Sequence, residues 1–207
     1  MKTTHRKTIG ISSIVLICFF SMTCIVSSGQ EVGTFKDKRD GQIYSWAKLG
    51  KKMWMAENVK FLSSSGAWAY NDSLQYVETY GYLYDWNTAQ QVCPKGWRVP
   101  SVDEFGILFE SLGGDSIASR KFMEMDTIFW NRLDSVTGNP TRNATSFGGT
   151  RRGYSTFSGI NVWGGLWSST LDEDGYPVDF LFARGDPSIS RSSHNKTSGF
   201  SVRCIRK

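Results

Sequence analysis

The sequence predicts an α+β fold in which two helices pack on short, mostly antiparallel sheets joined by long loops. Three observations carry that reading. Ser101 and Glu104 form a capping box ahead of Phe105, Leu108, Phe109 and Leu112 at helical spacing, and Gly113-Gly114 stops that helix. An earlier helical stretch covers Asp85 to Val92 and ends before Pro94 and Gly96. Elsewhere, short runs rich in aromatic and β-branched residues, bounded by glycine and polar turns, read as strands.

In chain order, residues 1–29 combine a basic start (Lys2, Arg6, Lys7), an apolar run from Ile9 to Val26 and the small stretch Ser27-Ser28-Gly29. That is the layout of an export signal, and the small residues at Ser27 and Gly29 predict cleavage after Gly29. An uncleaved membrane anchor is the alternative. Ser12, Ser13, Ser21 and Thr23 dilute a run that would need roughly 20 apolar residues to span a bilayer. Lipid attachment at Cys18 or Cys24 is a further route to the membrane, although Ile17 and Thr23 stand where a small residue is wanted.

Past the signal, Gln42 to Leu49 alternates Ile43, Ser45, Ala47 and Leu49 against Tyr44, Trp46 and Lys48. Gly50 then turns the chain into Lys52 to Ala56, the pattern of a β-hairpin. Trp97 to Val99 is a short extended entry to the capped helix, and a short helix around Ala118 to Met123 and a long loop from Asp134 to Gly149 follow it. Residues 149–154, 165–170, 178–184 and 200–206 read as strands, with 171–175 and 185–199 as turns. No repeat or linker divides residues 30–207, so one domain is expected there.

Charge excludes one class of partner. Residues 1–29 hold three of the 24 basic side chains and no acidic one, which leaves 21 basic against 19 acidic residues in the mature chain. The remaining basic groups are scattered, so nucleic acid is not an expected partner. Export also removes Cys18 and Cys24 and leaves Cys93 and Cys204 in an oxidising compartment. These two are expected to pair. The competing reading, a reactive thiol, lacks a histidine near either cysteine in sequence.

Several blocks resemble a known family. They are Asp40-Gly41-Gln42-Ile43-Tyr44 with Trp54-Met55-Ala56-Glu57-Asn58, Tyr80-Gly81-Tyr82-Leu83-Tyr84-Asp85-Trp86, Cys93-Pro94-Lys95-Gly96-Trp97-Arg98-Val99-Pro100-Ser101 with Glu104-Phe105, Trp167-Ser168-Ser169, and Ser201-Val202-Arg203-Cys204. In order and spacing they resemble the Fibrobacter succinogenes major paralogous domain of exported bacterial proteins, with Leu166 standing where an aromatic residue is common. That family is in turn similar to the C-type-lectin-like fold, where a first helix ends in a cysteine bonded to the last strand. The resemblance therefore implies the same Cys93–Cys204 bond that counting suggests. It implies no calcium-dependent sugar site, because the Glu-Pro-Asn or Gln-Pro-Asp loop and the Trp-Asn-Asp strand are missing. The cysteine chemistry of formylglycine-generating enzymes, which share that fold, is also not implied, since both mature cysteines are assigned to the bridge.

Chemistry has few starting points in the mature chain. His194 is its only histidine and falls in a polar stretch that reads as a solvent-exposed turn. Asp103 and Glu104 sit in the first turn of the capped helix, where the helix dipole favours anions, and read as capping. The acidic loop Asp172-Glu173-Asp174 with Asp179 lacks the Gly and downstream Glu of an EF-hand. No catalytic residue, metal site or cofactor is expected. A polysaccharide hydrolase using Asp172 or Asp174 with Asp186 is the alternative, and it turns on whether these carboxylates share a cleft.

Binding has more support, because all eight Trp lie in the mature chain. Trp54, Trp86, Trp97 and Trp167 sit in expected elements and are assigned to the core. Trp68, Tyr154 and Trp163 lie in loops among small residues and are the candidate ligand-binding residues. Asp72-Ser73-Leu74, Asp115-Ser116-Ile117, Asp126-Thr127-Ile128 and Asp134-Ser135-Val136 match a bacterial O-glycan acceptor pattern. The expected function is a non-catalytic binding or adhesion module, secreted or on the cell surface of a bacterium, with a glycan or an envelope protein as ligand. Its membrane attachment would come only through the signal or a lipid. A purely structural envelope component is the remaining option.

Overall fold

The computed structural model describes residues 31–114, 117–118, 147–153 and 155–207. In chain order the strands and helices are β1 (Val32–Lys36), β2 (Ile43–Leu49), β3 (Lys52–Met55), β4 (Ala67–Trp68), α1 (Val77–Tyr80), β5 (Leu83–Tyr84), α2 (Trp86–Val92), β6 (Trp97–Arg98), α3 (Val102–Leu112), β7 (Thr150–Arg152), β8 (Thr156–Ser158), β9 (Trp163–Leu171), β10 (Pro177–Ala183), β11 (Ile189–Ser193) and β12 (Ile205–Arg206). The fold is α+β, and among the described residues the one-turn helix α1 is an element the sequence does not announce. The expected signal segment at 1–29, most of the expected helix at 118–123, the expected loop up to residue 146, and Tyr154 lie outside the described residues.

Gly50, at φ +59, makes the tight turn that pairs Leu49 with Lys52 and fixes the register of β2 on β3. The largest sheet runs β1-β2-β3-β12-β6, so the last strand sits between elements from the first half of the chain. Ile205 pairs with Trp54 on one side and Arg98 on the other. Next to it, Cys204 is bonded to Cys93 at the C-terminal end of α2, with Cα atoms 5.9 Å apart and a sequence separation of 111. On the loop-entropy model a closure of this length stabilises the folded chain by up to about 4.7 kcal/mol.

The capping box of α3 forms as expected. Ser101 Oγ accepts from the Glu104 N–H, Glu104 accepts from the Ser101 N–H, and Gly113 ends the helix in the left-handed conformation at φ +112. The apolar face of α3 meets the three-stranded sheet β11-β10-β9: Phe105 and Phe109 lie 4.7 Å and 5.3 Å, centroid to centroid, from Phe180. Burial of each such ring contributes about 1.5–3 kcal/mol. The opposite side of β9 and β10 faces a second cluster around Trp167, Phe200, Tyr84 and Val202.

Three segments depart from the sequence expectation. Val32 to Lys36 reads as a polar lead, yet all five residues pair with β2, and Phe35 stacks on Trp97 at 4.7 Å. Residues 185–199 read as a turn but contain β11, an edge strand of the three-stranded sheet whose Ser190, Arg191 and Ser193 face solvent and hide its period. Most of 200–206 is not a paired strand. Phe200 to Cys204 are all buried and divide their backbone bonds among Tyr84, Trp167, Val59 and Met55, so the stretch serves several partners in turn.

Candidate functional site

The family-like motifs are spent on the scaffold. Glu57 Oε1 accepts from the Ser45 N–H at 3.0 Å, and its carboxylate pairs with Lys60 Nζ at 3.3 Å, both side chains almost wholly buried. Asn58 Nδ2 donates to Tyr80 O at 3.0 Å, while its Oδ1 accepts from Arg203 at 3.3 Å. The Tyr84 hydroxyl donates to Phe61 O at 2.7 Å, and burial pushes its ionisation well above the usual tyrosine range. Trp167 Nε1 donates to Tyr84 O, Trp86 Nε1 to Ser168 O, and Ser168 Oγ to Val178 O. Buried polar groups need such partners, so these residues build the body and leave recognition to the loops and rims. Trp86 departs from expectation in being only half-buried, with Lys196 Nζ 5.4 Å from its ring centroid.

The sequence candidates separate. Trp68, on β4, is half-buried, and the Arg151 guanidinium sits 4.0 Å from its ring centroid. One face is therefore taken by a cation–π contact with a side chain that is itself 9% exposed. Trp163, at the start of β9, remains 37% exposed. Its pyrrole ring lies against Gly159, where a Cβ would come within 2.0 Å of Nε1, and Gly159 has φ +85. Only glycine holds the indole there.

Trp163 lines a cleft of about 220 Å³ with Arg152, Leu181, Ala183, Asp186, Ser188 and Ser190. The strand registers explain why these meet: Ala183 pairs with Trp163, and Leu181 pairs with both Gly165 and Ser190. Side chains two apart on a strand share a face, so Trp163, Leu181, Ala183 and Ser190 project together. Asp186, expected only as a candidate hydrolytic carboxylate, and Ser188 come from the β10–β11 turn. Asp186 Oδ1 accepts from the Ser188 N–H at 2.8 Å and from Ser188 Oγ at 2.7 Å. These bonds, the backbone one foremost, hold its carboxyl below the usual aspartate range.

The proposed hydrolytic carboxylates do not converge. Asp172 caps the β9–β10 turn, accepting from the Asp174 and Tyr176 N–H groups, while Asp186 belongs to the turn at the other end of β10. A seven-residue strand separates the two turns by roughly 20 Å. Asp179 is wholly buried in the middle of that strand, and His194 Nδ1 lies 2.6 Å from its Oδ1. This corrects the expectation for His194: its side chain is 21% exposed, packs 5.1 Å from the Phe200 ring centroid and partners a buried carboxylate. Among the described residues, no three His, Cys, Asp or Glu side chains are grouped to hold a metal ion, and no helix is long and apolar enough to cross a membrane.

A family model, the Fibrobacter succinogenes major domain, matches residues 47–206. No curated protein and no solved structure gives a significant match.

Proposed function

The chain belongs to the Fibrobacter succinogenes major domain family, and on that footing we propose that it is an exported, non-catalytic binding module of the bacterial cell envelope. Its body is read as C-type-lectin-like, a reading supported by the bond from the end of α2 to the residue before β12. Its ligand, a glycan or an envelope protein, is met at the Trp163 cleft. The observation that carries this is a large indole, more than a third exposed, fixed in a concave site beside serine hydroxyls and two opposite charges. Convergent polar groups around an apolar wall are the usual make-up of a ligand site. The distance between Asp172 and Asp186 favours binding over hydrolysis by those carboxylates.

The test is a glycan array together with capture from envelope extract, using the purified chain and its Trp163→Ala variant. A ligand captured by the first and lost by the second supports the reading. Undiminished capture by the variant, or release of reducing sugar from a bound polysaccharide, overturns it.

A further inference from the structure

Resting on that reading of the cleft, we infer that the ligand group it takes is a single neutral hexopyranose ring, bound without calcium. The volume sets the size: about 220 Å³ falls below the ~300–1,000 Å³ typical of sites for drug-sized molecules and suits one six-membered ring with its hydroxyls.

The lining sets the chemistry. The inner end is apolar, because Leu181 packs into the cluster around Phe200, whose ring fills the space a side chain at Gly165 would need. The Trp163 indole forms one wall, and Ser188, Ser190, Arg152 and Asp186 supply hydroxyl, donor and acceptor groups around it. A pyranose has the matching two-sided character. Its axial C–H bonds present a weakly positive face to the negative face of an aromatic ring, and its equatorial hydroxyls spread outward to a polar rim. An apolar peptide side chain would cover the polar rim, Ser190 Oγ and the exposed Arg152 included, without offering it hydrogen bonds in place of water.

Charge narrows the class further. Arg152 and Asp186 bring one charge of each sign to the lining, so an acidic sugar gains from one and is opposed by the other. Calcium is not called for by this arrangement: the lining holds a single carboxylate, Asp186, beside hydroxyls and a guanidinium, few of the roughly six to eight oxygen ligands the ion takes.

The experiment titrates the full purified chain with methyl glucoside, methyl galactoside, methyl mannoside and methyl glucuronide in the presence of EDTA, followed by ligand-observed NMR. At least one neutral hexoside is expected to bind with a millimolar dissociation constant. It should bind at least tenfold more weakly to Trp163→Ala and to Ser190→Arg, which fills the cleft from an exposed position on β11; thermal melts establish that both variants are folded. Binding only of the glucuronide, binding that needs calcium, binding unchanged in both folded variants, or no binding by any neutral hexoside overturns the inference. The binding-module reading fails separately, if no array or extract ligand depends on Trp163. A protein or long-chain ligand that does depend on Trp163, with no hexoside bound, keeps that reading and overturns this one.

Discussion

The carboxylate of Asp179 is completely buried on β10, and Nδ1 of His194, fifteen residues later, lies 2.6 Å from its Oδ1. Its Oδ2 has no hydrogen-bond partner among the described residues. A buried carboxylate with one partner is sensitive to loss of that partner. His194→Ala should therefore destabilise the protein by about 2–3 kcal/mol, somewhat below the full penalty because the imidazole edge reaches water. Adding Asp179→Asn to that variant should recover part of the loss, since it removes the charge. Urea unfolding of the wild type, single and double variants measures both effects; a single variant as stable as wild type would contradict the pairing.

Glu104 gives a pH prediction. The Arg98 guanidinium grips its carboxylate at 2.6 Å and 2.5 Å, and this hydrogen bonding holds the carboxyl below its ordinary 4.5 against the opposing effect of burial. A depressed folded-state value means the stabilisation is fully present above about 4.5 and is lost as pH falls through the lower, folded-state value. Glu104→Gln keeps the capping-box bond but not the ion pair. It should cost about 1 kcal/mol at neutral pH and flatten the decline of stability below pH 4.5. Thermal melts from pH 3 to 7 would show a parallel decline in both proteins if the pair were unimportant.

Reduction of the Cys93–Cys204 bond should lower stability by up to about 4.7 kcal/mol, with less expected where the reduced chain keeps residual structure. Denaturant midpoints with and without dithiothreitol give the difference. Alkylation of the unfolded, unreduced chain should leave both cysteines unmodified, and modification of both would contradict the bond.

Gly159→Ala tests how the cleft is built. The new methyl would meet the indole of Trp163 while the backbone stays in the left-handed region at φ +85. A loss of about 1–2 kcal/mol in stability is expected. Trp163 fluorescence should shift, and ligand affinity should fall as it does in Trp163→Ala. Unchanged affinity would mean that the position of the indole is set elsewhere.

The parts legible in the sequence are those whose signals are local. Ser101 and Glu104 are three residues apart, Gly50 sits inside its own hairpin, and Cys93 and Cys204 are the two cysteines left once residues 1–29 are set aside. The rest is written across long separations. The Arg151 that covers Trp68 is 83 residues away from it in sequence, and nothing near either residue announces the stack. Asp179 and His194 meet only because β10 and β11 pair, and β11 is hard to read since, as an edge strand, it keeps polar side chains at most positions. Phe200 to Cys204 carry the composition of a strand but lack a single neighbour to pair with along their length. The cleft is half legible: Trp163 stands out as an aromatic among glycines and Asp186 as a candidate carboxylate, whereas Ser188 and Ser190 look like ordinary turn chemistry until the register sets them beside the indole.

Because β12 is threaded between β3 and β6, a growing polypeptide that emerges N-terminus first has the β2–β3 hairpin on one side and a lone β6 on the other, with an open slot between them until Ile205 is made. Closure of that sheet must wait for Ile205, and its pairings with Trp54 and Arg98 are distant in sequence, which makes them slow to form. Deleting Ile205 and Arg206 would leave the sheet with a missing centre rather than a frayed edge.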